Sequence, residues 1–265
     1  MEVARKMKTV ILCGGFGTRI RNVTEDIPKP MIPIGGSPIL WHLMKYYAHG
    51  GYKEFILCLG HKGHLIKDFF LNYEAHSRDF TLTLGRNKSA AYHDPHKESG
   101  WKITFADTGL NAQTGARIKR VQKYLKGEEN FMLTYGDGVG NIDLEKLVKF
   151  HLSHKKILTV SGVRPPGRFG ELRVDSNKRV TEFNEKPQAA AGRISGGFFV
   201  CRKELFDYVD DREDLVFEQE PAKELVKKGQ MMMYEHDGFW QPMDTYRDHL
   251  LLNSLYERGE APWVV

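Results

Sequence analysis

After eight residues the chain carries a β-branched apolar run, TVILC over Thr9–Cys13, that breaks into Gly14-Gly15-Phe16-Gly17. This pattern predicts a short buried strand that delivers a glycine-rich loop. Pro38 then opens ILWHLMKYYAH, where Leu40, Leu43, Met44 and Tyr47 share one helical face until Gly50-Gly51 stop it. EFILCLG predicts a second strand, and residues 62–73 predict a second helix. Such a succession of strands and helices is the pattern of a largely parallel sheet covered on both faces. Two stretches, FTLTLG and WKITFADTG, alternate with period two, which predicts that the sheet acquires antiparallel members there.

GARIKRVQKYL reads as a helix and FMLTYGDG as another apolar strand, ending in the glycine-flanked Asp137. Beyond a helix over residues 143–154 the second half is richer in strands: KILTVSGV, ELRVDSNKRVTEFNEK with a turn at Asn177-Lys178, and ISGGFFV. Residues 217–228 and 244–257 read as helices on either side of QMMMYEH, and Gln188–Arg193 reads as a surface loop. Neither a domain boundary nor an internal repeat is visible. The expectation is one α/β domain over residues 1–265.

Composition narrows the partners. The 265 residues are 41% hydrophobic, enough for a substantial core, and 39 basic against 34 acidic side chains give a formal charge of +5. The two signs are interspersed, so the surplus suits small anionic ligands better than a nucleic-acid track. Cys13, Cys58 and Cys201 are odd in number, widely spaced and set in apolar runs, which predicts buried reduced thiols. The basic N-terminal stretch lacks an apolar core of signal-peptide length, and no segment reaches the ~18 apolar residues of a membrane span. A cytoplasmic protein follows as an expectation.

The glycine loop lies at a strand's end, where open α/β sheets bind ligands, and its backbone N–H groups are free to approach a phosphate or a base edge. Thr18 adds a hydroxyl and Arg19 a planar fork suited to phosphate oxygens. Lys29, between Pro28 and Pro30, carries its ammonium on stiffened backbone. Asp137 could hold a cation against phosphates or simply shape an Asp-Gly turn. Asp244, in FWQPMDT, could do the same or cap the following helix. Arg117, with Lys119 and Arg120, reads as readily as the solvated face of a helix. A dinucleotide fingerprint fails because Ile20 stands at its third glycine, and no GK[ST] triplet makes a P-loop. No nucleophile-base constellation or histidine metal pattern occurs either.

The string GGFGTRIRNVTEDIPKP, with YGDG, EKP, SGGFFV and MDT following in order, resembles the sugar-1-phosphate nucleotidyltransferase family over nearly the whole chain. The resemblance implies a Rossmann-like three-layer α/β domain with a mostly parallel mixed sheet. Residues 7–140 would form mainly the nucleotide half, and 141–265 the strand-rich sugar-phosphate half. It implies a nucleotide site at Leu12, Cys13, Gly14, Gly15, Phe16, Gly17, Thr18, Arg19, Lys29, Thr114, Arg117 and Gly136. Mg²⁺ would be bound by Asp137 and Asp244, which with Arg19 and Lys29 form the catalytic set. Glu185 would meet sugar hydroxyls and Lys186 the sugar phosphate, with Gly170 and Gly196 permitting close approach. YGDGV, PPGRFG, GGFFV and FWQPMDT look most like the branch using CTP and glucose 1-phosphate, although Ser195 stands where the family usually has asparagine. The family is generally oligomeric, which implies a homo-oligomer. Alternatives are uridylyl or thymidylyl transfer, a catalytically silent nucleotide-sugar sensor, and a glycosyltransferase, against which the absence of D-x-D at Asp137 counts.

Overall fold

A computed structural model of the chain describes residues 7–17, 26–85, 88–93, 98–165, 171–176, 178–184 and 192–265. Its central sheet has seven strands: β1 (Thr9–Leu12), β2 (Glu54–Leu59), β3 (Lys102–Asp107), β4 (Asn130–Tyr135), β5 (Leu158–Val163), β6 (Ile194–Arg202) and β7 (Met231–His236). Their order is β7-β5-β6-β4-β1-β2-β3. Six point the same way, and β6 runs against them, antiparallel to both β4 and β5. Inner strands such as β1 and β5 are buried at every position, as expected of apolar runs covered on both faces.

The helices are α1 (Ile39–His49), α2 (Gly63–Leu71), α3 (Thr114–Arg120), α4 (Leu144–His154), α5 (Glu220–Lys227) and α6 (Tyr246–Glu257), with a short helix at Tyr73–Ser77. Leu40, Leu43, Met44 and Tyr47 of α1 and Leu147 and Val148 of α4 pack on one face of the sheet against Ile11, Leu57 and Met132. Ile118 of α3 and Leu225 of α5 pack on the other against Val10, Ile56 and Leu133. This is the expected three-layer sandwich. A third cluster, with Ile32, Ile34, Val139, Met243 and Leu252, fastens α6 to the segment after Lys29.

The two alternating stretches behave otherwise than expected. KITFAD becomes β3 and pairs parallel with β2. FTLT leaves the sheet and forms a separate hairpin, Phe80–Thr83 with Ser89–Tyr92. Alternation reports that a strand has one covered face, and an edge strand of a parallel sheet has that too. Strand direction depends on the connection, and the antiparallel member of the sheet is β6, from ISGGFFV. The stretch ELRV…VTEFN is the expected hairpin, with Lys178 at φ 63° in its turn, while Asn177 lies outside the described residues. All three cysteines are free and buried. No described helix is long and apolar enough to cross a membrane.

Candidate active site

The carboxyl ends of β1 and β4 lie side by side, and each feeds a segment that must fit against the other. Gly136 donates its N–H to the Leu12 carbonyl, and a Cβ at Gly136 would come within 3.1 Å of Cys13 Sγ and 3.3 Å of Pro30 Cγ. Only glycine packs there without displacing a neighbour. On the opposite side of the loop, Gly17 adopts φ 64°, a left-handed conformation that glycine tolerates, and lies against the Lys29 side chain.

Past β4 the chain turns at Asp137 into a short strand, Gly138–Gly140, which pairs antiparallel with Trp240–Pro242. Pro242 is opposite Gly138, so Asp137 and Asp244 flank the same end of this ribbon. Met243 N–H donates to the Asp137 carbonyl at 2.9 Å and closes the end. The cap of α6 is Thr245, in a reciprocal capping box with Asp248. The Asp244 carboxylate is thereby left free of capping.

It meets Lys29. The ammonium is 2.5 Å from Asp137 Oδ2 and 2.6 Å from Asp244 Oδ1, bringing together residues 108 and 215 positions apart. Burial opposes the charge on Lys29, but Asp137 and then Asp244 outweigh it and hold its pKa above the ordinary lysine value. Lys29 is 11% exposed, whereas Asp137 and Asp244 remain 35% and 25% exposed, so the carboxylates still face the cleft.

That cleft has two lobes. One, of about 230 Å³, is lined by Leu12, Cys13, Gly15, Gly17, Lys29 and Pro30; the other, of about 250 Å³, by Thr134, Tyr135, Ser195, Gly196, Gly197, Phe198 and Trp240. Asp137 and Asp244 belong to both linings and therefore stand at the boundary. In the second lobe Trp240 Nε1 donates to the Gly196 carbonyl at 2.7 Å, fixing the glycine backbone. The Tyr135 hydroxyl donates to the Glu218 carboxylate, which also accepts from Thr114 Oγ1 at 2.7 Å. Burial, then the Glu218 charge, push the Tyr135 phenol well up, so it stays a neutral donor.

The structure thus gathers Leu12, Cys13, Gly15, Gly17, Lys29, Asp137 and Asp244 around one lobe, and Gly196 in the other. Gly14 and Gly136 are next in sequence to lining residues and bonded to His61 and Leu12, and the Phe16 ring, half exposed, packs beside His61 with centroids 5.0 Å apart. Thr18, Arg19, Gly170, Glu185 and Lys186 lie outside the described residues. Thr114 spends its hydroxyl on Glu218 and on the Phe217 N–H. Arg117 is 4% exposed and bonded to protein carbonyls, so its surroundings are neither solvent nor an open ligand site. Tyr135, Trp240 and Glu218 were not singled out from sequence. Tyr135 precedes the GDG turn and Trp240 the PMD turn, and these aromatic positions next to candidate carboxylates were the available signal.

Two carboxylates converging on one cation fit a hard divalent ion that keeps water and phosphate ligands, since such an ion needs only one or two protein carboxylates. No cluster of three or more His, Cys, Asp or Glu side chains competes with them among the described residues.

Known proteins resemble this chain along nearly its whole length. The glucose-1-phosphate cytidylyltransferase of Salmonella typhi is 46% identical over 257 residues, covering 97% of this chain and 98% of that protein. The probable glucose-1-phosphate cytidylyltransferase of Bacillus subtilis (strain 168) is 44% identical over 259 residues, covering 98% and 100%. The crystal structure of HddC from Yersinia pseudotuberculosis superposes with a TM-score of 0.67 at 24% identity, over 94% of this chain and 99% of that one, which bears on the fold. The family model described as nucleotidyl transferase matches residues 8–257, from the first residues of β1 to the end of α6, and so takes in both lobes and the acidic pair between them: the chain is a member of the nucleotidyltransferase family.

Proposed function

We propose that the protein transfers a cytidylyl group from CTP to α-D-glucose 1-phosphate, giving CDP-glucose and pyrophosphate. The observation that carries this reading is the position of Asp137 and Asp244 on the boundary between a glycine-loop lobe and a second polar-aromatic lobe. The substrate pair is the one in the names of the relatives from Salmonella typhi and Bacillus subtilis, and high identity along the full chain supports extending it.

In this reading the triphosphate lies along the loop Gly14–Gly17, whose N–H groups receive its oxygens, and Lys29 neutralises phosphate charge. Arg19 joins it from the loop's continuation. The sugar phosphate occupies the second lobe, where Trp240 and Gly196 form a wall, and Glu185 and Lys186 have the roles that the family resemblance implies. Asp137 and Asp244 would hold Mg²⁺, which would supply neutralisation of phosphate charge there.

A phosphate oxygen of glucose 1-phosphate forms a bond to the α-phosphorus of CTP while the bond from that phosphorus to the β-bridging oxygen breaks. Pyrophosphate leaves with the electron pair. A sugar phosphate carries about −1.5 to −2 charge near neutral pH and needs no protein base. Positioning and charge neutralisation are then the protein's main contributions, and orientation alone can supply roughly 7 to 11 kcal/mol of the barrier.

Residues 7–140 act mainly on the nucleotide and 141–265 mainly on the sugar phosphate. Buried free thiols and phosphorylated substrates support a cytoplasmic location. The exposed apolar side chains Phe80, Leu82 and Leu84 on the free-standing hairpin and its turn support a homo-oligomer. The reaction class is tested with CTP made chiral at the α-phosphorus by sulfur substitution. One in-line displacement gives inversion in CDP-glucose; retention, or no product from folded protein, overturns the reading.

A further inference from the structure

Arg193 stands immediately before β6, and its side chain is only 12% exposed although Ile194 and Ser195 beside it are open to solvent. Its guanidinium spans the carboxyl ends of two parallel neighbours, β5 and β7. Nη1 donates to the Gly162 carbonyl of β5 at 3.2 Å and to the His236 carbonyl of β7 at 3.0 Å. Nη2 donates to Glu235 Oε2 at 3.1 Å and to Asp237 Oδ1 at 2.9 Å. Asp237 Oδ1 also accepts from Arg164 Nε, just past β5, at 2.8 Å.

The sheet is shaped to receive this group. Pairing of β5 with β6 slips between Val160 and Gly162, then resumes with Gly162 opposite Ser195 and Val163 opposite Ile194, which leaves Arg193 just beyond the paired end. A Cβ at Gly162 would overlap Met233 Sδ and come within 3.3 Å of Arg193 Cδ, so glycine lets the arginine stem lie across β5. One planar fork serves two carbonyls and two carboxylates. An ammonium, with its donors at a single point, does not.

Both ends of this contact lead directly to walls of the second lobe. Gly196 is three residues past Arg193, and Trp240 is three residues past Asp237. The short stretch before Trp240 has little freedom: the Phe239 carbonyl accepts from the Asn141 N–H at 3.1 Å, and a Cβ at Gly238 would overlap Asn141 Oδ1. Inside the lobe the same two walls meet again, where Trp240 Nε1 donates to the Gly196 carbonyl. The walls therefore have two ties, one in the lobe and one behind it. Neither Arg193 nor Asp237 lines the lobe. Glu235 and Asp237 are 63% and 64% exposed, and ion pairs to such exposed carboxylates add little to global stability, so the effect of this network is local.

We propose that Arg193 and Asp237 are positioning residues for the sugar phosphate: from behind the lobe they hold the backbone of residues 195–197 at a fixed spacing from Trp240, and neither touches the ligand. The inference rests on the assignment of the second lobe to glucose 1-phosphate.

Steady-state kinetics of Arg193→Met, Arg193→Lys, Asp237→Asn and Trp240→Phe, read by pyrophosphate release with each substrate varied in turn, test it. Arg193→Met should raise KM for glucose 1-phosphate about 5- to 20-fold, the scale of one or two charge-assisted hydrogen bonds, while KM for CTP stays within about twofold of wild type. Arg193→Lys restores charge without the fork and should recover only part of the loss; Asp237→Asn should show a smaller rise of the same kind. Because both ties set one spacing, Arg193→Met combined with Trp240→Phe should depart from the product of the single effects by about threefold or more. Wild-type KM for glucose 1-phosphate in Arg193→Met, an equal rise in both KM values, or single effects that simply multiply would overturn the proposal. If the Arg193 variants do not fold, unchanged KM for glucose 1-phosphate in folded Asp237→Asn overturns it equally. Failure of the wild-type protein to turn over glucose 1-phosphate overturns the lobe assignment itself, which separates the two failures.

Discussion

Replacing Lys29 by Met separates two roles that share one side chain, because the effects on catalysis and on metal binding should have opposite signs. The ammonium sits within 2.6 Å of both Asp137 and Asp244 and so occupies the place of a cation between them. A divalent ion entering this site must displace it, and a bound triphosphate offers the displaced lysine new partners. A hydrogen bond to a charged group contributes roughly 1.5 to 3 kcal/mol, so loss of the contact with the triphosphate should lower kcat/KM for CTP by about 10- to 150-fold. Removing the same contact from the carboxylates should tighten binding of Mn²⁺ to the nucleotide-free protein by about 10-fold or more. Like charges left unneutralised at this distance favour a cation more strongly than a pair already compensated. Mn²⁺ binding would be read by electron paramagnetic resonance without nucleotide, and turnover by pyrophosphate release. Unchanged or weaker Mn²⁺ affinity in a variant that retains both carboxylates would refute the competition and the metal assignment with it.

Asp137→Asn keeps the shape of the boundary but removes a charge, and kcat should fall by roughly 100-fold or more with little change in melting temperature; normal Mg²⁺-dependent turnover would contradict its role. Trp240→Phe removes the donor to the Gly196 carbonyl and should raise KM for glucose 1-phosphate by about fivefold, the value of ~1 kcal/mol, while KM for CTP stays constant. Stability should also depend on His151, which is buried beside Thr159 and Asn130. Burial, then His154 and Arg202, lower its pKa to about 4, against about 6.5 when unfolded. The unfolded chain therefore binds the extra proton first, so this contribution is complete above about pH 6.5 and is lost as pH falls toward 4, up to ~3 kcal/mol. Urea denaturation at pH 7.5 and 4.5 should show that loss, and His151→Asn should diminish it; identical slopes in both proteins would reject the assignment.

Much of this architecture is legible in the sequence because its signals are local. TVILC and EFILCLG are apolar runs of strand length, and α1 carries its apolar stripe and its glycine stop within fourteen residues of chain. The direction of KITFAD was not legible, since period two records coverage and leaves pairing open. Lys29 could be identified as a stiffened cation, but its contact with two aspartates depends on the Gly138–Gly140 and Trp240–Pro242 ribbon, which no local pattern encodes. The burial of Arg117 was not legible either. Its neighbours Lys119 and Arg120 suggest a solvated face, and its burial depends on Gly14 and Gly60 being free of side chains in two other segments.

In the proposed reaction the two lobes bring CTP and glucose 1-phosphate together across Asp137 and Asp244. The most direct measurement is kcat/KM from pyrophosphate release with glucose 1-phosphate and each of CTP, UTP, dTTP, GTP and ATP in Mg²⁺. The highest value is expected with CTP, together with one CDP-glucose for each pyrophosphate released. A higher value with UTP or dTTP, or pyrophosphate released without a nucleotide sugar, would contradict it.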